Sequence, residues 1–316
     1  MTTSQNTPAP LELRPLGKTG LQVTGLCIGS APLGDMPDTF DYSVGEEQAL
    51  ATIRAIFDGP ITFVDTAASY GDGESERRIG IVLRERGGLP PGFVLASKAD
   101  RDLKTGDFSG DQMRRSVERS LRLLGLDQIQ LLYLHDPEHT TFEKAMAPGG
   151  PVEVLQKCKE EGLIAHLGVA GGPIDLMARF VETGLFEAAI SHNRYTLLNI
   201  EAEGFWDICN RRSVAAVNAA PYGSGMLAKG PKAYPRYRYL QAPEDYIKKA
   251  ERIEEICNHY NVPLAAAALQ FSLREHRIVS TIVGLTRPER ITQTIELAQH
   301  PIPEEIWSEF ARLKNM

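Results

Sequence analysis

The stretch "GDQMRRSVERSLRLLGLDQIQLLYLHD", from Gly110 to Asp136, carries the pattern that decides the fold. Its first half places apolar residues at helical spacing, whereas its second half is apolar nearly throughout. Unalternating runs such as residues 129–136 are typical of parallel strands that are buried on both faces. The stretch therefore predicts a helix over residues 110–124 and a buried strand after it.

The same helix-and-strand unit recurs along the whole chain. About eight alternations over roughly 290 residues favour a (β/α)8 barrel, a TIM barrel, over a doubly wound sheet. The predicted strands are residues 26–31, 61–67, 93–99, 129–136, 164–171, 188–195, 214–221 and 280–286. The predicted helices are residues 46–57, 75–86, 110–124, 152–160, 174–182, 202–210, 243–260 and 288–297, with another near "PLAAAALQFSLRE".

The chain reads as one domain with a short tail. Residues 1–10, "MTTSQNTPAP", are small and polar and predict a flexible tail with no signal-peptide pattern, so the barrel should span residues 11–316. Two intervals, residues 32–45 and 229–243, are longer than a plain connection requires. Loops that follow the carboxyl ends of barrel strands surround the active site, so both intervals are candidate covers over it.

Composition excludes several classes of function. A formal charge of −7 argues against a nucleic-acid partner, because phosphate backbones are held by basic surfaces. No apolar run approaches the roughly 20 residues that cross a bilayer. The four cysteines are widely scattered, which fits reduced thiols in a cytoplasmic protein, and no residue spacing indicates a metal site. We therefore expect a cytoplasmic protein that uses no metal. The oligomeric state stays open.

Ionisable residues stand where three neighbouring strands should end. Asp65 ends the second strand and Tyr70 follows in its loop, while Lys98 and His135 end the third and fourth strands. In a parallel barrel these ends share one rim, and a carboxylate must pair with a buried lysine there. An adjacent ammonium should lower the pKa of a phenol, which is ordinarily about 10. Such a set suits proton transfer coupled to hydride transfer at a carbonyl or alcohol.

The chain resembles the aldo-keto reductases over nearly its whole length. The matching motifs, in order, are "LGKTGLQVTGLCIGSAPLG", "DTAASYGDGESERRIG", "LASKAD", "LLYLHD" and "VGLTRPERI". The resemblance implies an NAD(P)-dependent (β/α)8 oxidoreductase whose catalytic tetrad is Asp65, Tyr70, Lys98 and His135. Tyr70 would be the general acid/base, Lys98 the group that lowers its pKa, Asp65 the partner of Lys98, and His135 the orienter of the substrate oxygen.

The resemblance also implies where the cofactor binds, across the barrel mouth. "APYGSGML" would border the pyrophosphate with backbone N–H donors, and the segment from residue 284 would hold the adenosine end. Some positions depart from the usual family pattern, including Ala170, Gly171, Ala219 and Gly284, where the last replaces a lysine that often meets a 2′-phosphate. This favours NAD over NADP, with use of both possible. The candidate cofactor residues are His192, Asn193, Pro221, Gly223, Ser224, Gly225, Leu227, Gly284, Thr286, Arg287, Arg290 and Thr294.

The segments "SAPLG", "HNRYTLLN" and "NAAPYGSGML" resemble the aldose dehydrogenase branch of the family. This implies oxidation of the cyclic hemiacetal of an aldose, such as L-fucose, another D-threo-aldose or L-galactose, to its lactone. Three alternatives stay open: NADPH-dependent reduction of aldehydes or ketones, oxidation of pyridoxal, and a nicotinamide-sensing regulatory subunit. The expected partner is a small sugar or carbonyl compound.

Overall fold

A closed barrel of eight parallel strands forms the centre of the computed structural model, which describes residues 11–313. The barrel strands are β3 (Leu26–Gly29), β4 (Phe63–Asp65), β5 (Val94–Ala99), β6 (Ile129–His135), β7 (Ile164–Gly171), β8 (Ala188–His192), β9 (Ala215–Ala219) and β12 (Ile278–Gly284). Each strand pairs with the next, and β12 closes the ring against β3. The predicted (β/α)8 barrel is thus confirmed. The expected tail over residues 1–10 lies outside the described residues.

Helices surround the barrel where the periodicity predicts them. The helices are α1 (Pro37–Phe40), α2 (Glu46–Phe57), α3 (Glu74–Arg86), α4 (Gly110–Leu124), α5 (Phe142–Met146), α6 (Pro151–Glu160), α7 (Ile174–Glu182), α8 (Glu203–Arg212), α9 (Met226–Lys229), α10 (Glu244–His259), α11 (Leu264–Leu273), α12 (Glu289–Gln299) and α13 (Glu304–Arg312). The sequence reasoning missed the short helices α1, α5 and α9 and also α13, although a proline followed by two glutamates is a typical helix start. Among residues 11–313, no helix is both long and apolar enough to cross a membrane.

Six of the eight barrel strands end one to three residues earlier than the apolar runs predict, among them β8 and β9. β8 stops at His192 because Asn193 has φ 56°, and β9 stops at Ala219 because Ala220 has φ 58°. A residue in the left-handed region cannot continue a strand. The chain therefore leaves both strands at the rim, where Asn193 and the segment after Ala220 become part of the barrel mouth.

A hairpin fills the end of the barrel opposite this rim. It consists of β1 (Leu13–Pro15) and β2 (Gln22–Thr24), which pair antiparallel. Leu16 is fully buried in the same apolar cluster as Phe63 and Leu131 inside the barrel. Side chains thus fill this end of the barrel, and the cavity within the described residues opens at the rim of the strands' carboxyl ends.

Helix α3 and helix α4 approach closely at Gly80. A Cβ atom built on Gly80 would lie within bonding range of the carbonyl oxygen of Leu123, so no side chain fits without movement of the backbone. Helices can pack this closely only where one of them carries glycine. Gly80 thereby fixes the distance between the two helices that flank the strands carrying Asp65 and Lys98.

We predict that Gly80→Ala lowers the free energy of unfolding by about 1–3 kcal/mol, the usual cost of overpacking. Gly204→Ala in helix α8 is the matched control, because nothing lies within 4 Å of its Cβ position. The control should leave stability unchanged or raise it by up to about 1 kcal/mol, since alanine is the better helix former. Urea denaturation of both variants measures the difference, and equal stabilities would contradict the packing argument.

Candidate active site

The four sequence-predicted catalytic residues meet at one rim of the barrel. Asp65 is the last residue of β4, Lys98 lies near the end of β5 and His135 is the last residue of β6. These strands are neighbours with parallel register, so their carboxyl ends open on the same side. Tyr70 joins them from the loop after β4.

Lys98 is the hub of this cluster. Its Nζ donates to Asp65 Oδ1 at 2.5 Å, to the carbonyl oxygen of Thr66 at 2.7 Å and to Tyr70 Oη at 3.1 Å. An ammonium has three donors, and all three are used here. Burial lowers the pKa of Lys98, but Asp65 and Tyr70 outweigh burial, so the pKa is raised overall. Lys98 is therefore a buried ammonium in contact with the phenol, and its paired neighbours favour the charged form.

The loop that carries Tyr70 packs backbone against backbone. Gly71 has φ 62°, and a Cβ there would collide with the carbonyl oxygen of Gly34. A Cβ on Gly34 would in turn lie 2.8 Å from the carbonyl oxygen of Tyr70. These two glycines let the loop after β3 hold the tyrosine loop against the rim, which brings the Tyr70 ring to 4.7 Å from Lys98 Nζ.

Burial raises the pKa of Tyr70 above its ordinary value, while Lys98 acts in the opposite direction. The expected lowering of this pKa is therefore wrong as a net effect, although the contribution of Lys98 has the expected sign. The reason is desolvation, which penalises the phenolate more than the Lys98 ammonium stabilises it. The negative charge of Asp65 also opposes the effect of that ammonium. Burial therefore favours the neutral phenol of Tyr70.

Asp100, which sequence reasoning missed, contacts His135. Its Oδ1 lies 2.6 Å from His135 Nδ1, and its Oδ2 accepts the backbone N–H of Ser69 at 2.9 Å. Asp100 directly follows the strand that carries Lys98, so the strand-end reasoning that identified Asp65 could have found it. Burial lowers the pKa of His135, but Asp100 and Asp136 outweigh this effect and the pKa is raised.

His192 and Asp136 border His135 on the other side. Asp136 Oδ1 lies 3.6 Å from His135 Nε2 and 3.9 Å from His192 Nε2, and it has no hydrogen-bond partner among residues 11–313. Burial lowers the pKa of His192 to about 4, so this imidazole is neutral near neutrality. Ligand-type atoms of His192, Asp136 and Glu138 lie within 4.8 Å of one another. We interpret them as polar groups of the rim, and the absence of a metal stays a prediction.

A cavity of about 470 Å³ extends from the tetrad across the mouth, within the size range of small-molecule sites. Small side chains, those of Ala170, Ala219 and Ala220, line it beside the tetrad and leave room for a flat ring. The predicted cofactor residues His192, Pro221, Ser224, Gly225 and Gly284 also line it. These features fit a bound nicotinamide dinucleotide.

The turn predicted to bind the pyrophosphate is already hydrogen-bonded within itself. The N–H of Gly223 donates to Ala220, and those of Gly225 and Leu227 both donate to Tyr222. Ser224, with φ 61°, directs its hydroxyl to Asn193 Oδ1 at 3.2 Å. These three N–H groups are therefore already engaged, and a diphosphate would bind to other groups of the turn.

The remaining predicted cofactor residues lie outside the lining of this cavity. Leu227 and Thr294 are buried, and the carbonyl oxygen of Thr286 accepts from Gln48 Nε2 at 2.6 Å. Arg290 lies near enough to Tyr42 and Tyr222 to oppose the rise of their pKa values. The other members of this group are Asn193, Gly223 and Arg287.

The two long intervals meet above the cavity, as expected of covers. Tyr234 Oη donates to the carbonyl oxygen of Phe40 at 3.1 Å, and Arg236 pairs with Asp41 at 2.9 Å. Tyr239 packs edge-on against Phe40 with ring centroids 5.7 Å apart. The short hairpin of β10 (Arg236–Tyr237) and β11 (Leu240–Gln241) holds this contact in place.

Comparison with known proteins identifies the family. Residues 25–315 match the model of the aldo/keto reductase family. The chain belongs to this family. It is 32% identical to D-threo-aldose 1-dehydrogenase of a Pseudomonas species over 93% of this chain and 95% of that protein. It is 31% identical to pyridoxal 4-dehydrogenase of Microbacterium luteolum over 94% and 96% of the two chains.

The chain is also similar to another dehydrogenase in sequence and to a solved structure in fold. L-galactose dehydrogenase of Arabidopsis thaliana is 28% identical over 90% of this chain and 87% of that protein. An aldo-keto reductase of Bacillus halodurans, solved in its holo form, superposes with a TM-score of 0.76 at 21% identity over 96% of both chains. This aldo-keto reductase is therefore an NAD(P)-dependent oxidoreductase that acts on CH–OH or carbonyl groups.

We predict that Lys98→Met lowers the free energy of unfolding by about 3–5 kcal/mol, because it leaves the buried Asp65 carboxylate without its cation. The double variant Asp65→Asn/Lys98→Met should recover part of this loss, since no charge then remains buried. Chemical denaturation of the two variants and the parent measures both values. If Lys98→Met were as stable as the parent protein, the ion pair would not contribute this amount to the free energy of unfolding.

Proposed function

We propose that this aldo-keto reductase oxidises the cyclic hemiacetal of an aldose to its lactone, with NAD as the preferred acceptor. The observation that carries the proposal is the tetrad centred on Lys98, in a chain similar over 93% of its length to a D-threo-aldose 1-dehydrogenase. The similarity to L-galactose dehydrogenase supports the same class of substrate.

The tetrad supplies the proton chemistry of this reaction. The bound nicotinamide supplies the two-electron acceptor or donor at the barrel mouth. In oxidation, the C–H bond at the anomeric carbon breaks as its hydride leaves, and the hydroxyl proton passes to the phenolate of Tyr70. Lys98 stabilises this phenolate, and Asp65 keeps Lys98 charged. In the reverse direction, the neutral phenol of Tyr70 gives its proton to the carbonyl oxygen.

Reduction of an aldehyde or ketone is the second candidate. The raised pKa of Tyr70 favours it, because a neutral phenol is already in the state that donates a proton. The same site oxidises when alkaline pH increases the phenolate population and the oxidised cofactor is in excess. Initial rates in both directions, with NAD(H) and NADP(H), distinguish the two candidates.

We predict that Tyr70→Phe lowers kcat for aldose oxidation by about 10²–10⁴-fold, the usual loss when a general acid/base is removed. Tyr246→Phe on α10 is the control, since it removes a hydroxyl that accepts from Asn199 Nδ2 outside the lining of the cavity and should leave kcat unchanged. The assay follows nicotinamide absorbance with a panel of aldoses, pyridoxal and simple aldehydes. Full activity of Tyr70→Phe, or turnover of no aldose by the parent protein, would contradict the proposal.

The preference for NAD is tested at the exposed end of β12. Gly284→Lys places a cation where the sequence lacks one, and a new bond to the 2′-phosphate worth about 1.4 kcal/mol would raise kcat/KM for NADP about tenfold. Gly284→Met is the matched control, because it crowds Pro32 in the same way without adding charge. A parent protein that already uses NADP more efficiently than NAD would contradict the proposed preference.

A further inference from the structure

Asp100 is a buried carboxylate that the tetrad does not include. The side chain is 5% exposed, and its two oxygens hold His135 Nδ1 and the backbone N–H of Ser69. The backbone of Asp100 is itself fixed, because its N–H donates to Ser116 Oγ at 3.0 Å and its carbonyl oxygen accepts from Gln112 Nε2 at 3.1 Å. Helix α4 therefore holds this carboxylate rigidly at the rim.

The contact decides which nitrogen of His135 carries a proton. A carboxylate is an acceptor only, so a bond of 2.6 Å requires Nδ1–H on the imidazole. The other nitrogen, Nε2, is then an acceptor when the ring is neutral and a donor only when the ring is an imidazolium. A substrate carbonyl oxygen needs a donor, whereas a substrate hydroxyl can donate to the free lone pair.

We propose that Asp100 is a positioning residue that fixes the Nδ1–H tautomer of His135 and thereby links the direction of catalysis to the protonation of this histidine. Reduction then requires the imidazolium, whose Nε2–H binds the carbonyl oxygen. Oxidation is served by the neutral ring, whose Nε2 accepts the hemiacetal hydroxyl before Tyr70 takes the proton. This inference rests on the proposed function for its catalytic part only, since the tautomer is a property of the protein alone.

Asp100 also connects the two groups that contact the substrate oxygen. Ser69, whose N–H binds Asp100 Oδ2, directly precedes Tyr70, and its Oγ lies 3.5 Å from His135 Nδ1. One carboxylate therefore fixes both the histidine ring and the loop of the phenol. The rings of Tyr70 and His135 stand edge to face with centroids 6.0 Å apart.

The protonation of His135 responds to charges on every side of it. Carboxylates favour the imidazolium, whereas the Lys98 ammonium opposes it and the neutral His192 adds no charge. Burial also raises the pKa of Tyr70. The ionisable groups around His135 are Asp65, Tyr70, Lys98, Asp100, Asp136, Glu138, His139 and His192.

The test replaces the carboxylate with an amide of the same shape, Asp100→Asn. The Asn oxygen can still accept from Ser69, and its NH₂ group would face His135 Nδ1. The neutral ring would then carry its proton on Nε2 and act as a donor without becoming charged. We expect the pKa of His135 to fall, because the largest favourable charge next to the imidazolium is lost. Ser116→Ala is the matched control, since it disturbs the backbone bond of Asp100 and keeps the carboxylate.

Nitrogen-15 NMR of the histidine rings, in the protein without cofactor, reads the tautomer directly. We expect Nδ1–H in neutral His135 of the parent protein and of Ser116→Ala, and Nε2–H in Asp100→Asn. Nε2–H in the neutral ring of the parent protein would overturn the proposal even if the variant failed to fold. An unchanged tautomer and titration in a folded Asp100→Asn protein would overturn it as well.

The pH dependence of kcat/KM tests the catalytic part. Reduction by the parent protein should fall tenfold per pH unit above the titration of His135, because the imidazolium population falls by this factor. In Asp100→Asn, kcat/KM for reduction should not fall as the pH rises. It should be lower than that of the parent protein at acidic pH and constant at higher pH. A parallel fall in both proteins would overturn the link to direction. The NMR result stands apart from activity, so absence of turnover would reject the proposed function and not the tautomer.

Discussion

The buried ion pair of Lys98 and Asp65 is the interaction on which the site depends. An ammonium that is 2% exposed persists only if its charge is compensated and its donors are filled. The barrel meets this requirement by placing β4 and β5 side by side, so that a carboxylate and a backbone carbonyl oxygen face the lysine. The third donor is left for Tyr70, and the structural requirement of the lysine thereby orients the phenol.

A second carboxylate repeats this arrangement one strand further on. Asp100 holds the imidazole of His135 as Asp65 holds the ammonium of Lys98, and both carboxylates are buried at the same rim. The rim therefore contains two buried pairs, and Asp65, Lys98 and His135 of these pairs line the cavity. Burial favours the neutral form of both Tyr70 and Lys98: it prevails for Tyr70, whose pKa is raised, whereas Asp65 and Tyr70 outweigh it for Lys98, whose pKa is also raised.

The mouth around these pairs is shaped by backbone more than by side chains. Gly34 and Gly71 allow the tyrosine loop to touch the loop after β3, and left-handed residues at Asn193 and Ala220 turn the chain out of two strands. Tyr234 and Phe40 then join the two covers above the cavity. The resulting cavity is lined by the tetrad on one side and by Phe40 and Tyr239 of the two covers on the other.

The sequence by itself determined the barrel and the tetrad. Unalternating strands and amphipathic helices have distinct periods, and parallel strands deliver their last residues to one rim, so Asp65, Lys98 and His135 could be placed together without coordinates. Only the tertiary structure decided the partner of His135, the engaged N–H groups of the turn at Gly223 and the net pKa of Tyr70. These depend on distances of a few tenths of an ångström and on desolvation, which arise from packing between distant segments and leave no local pattern in the chain.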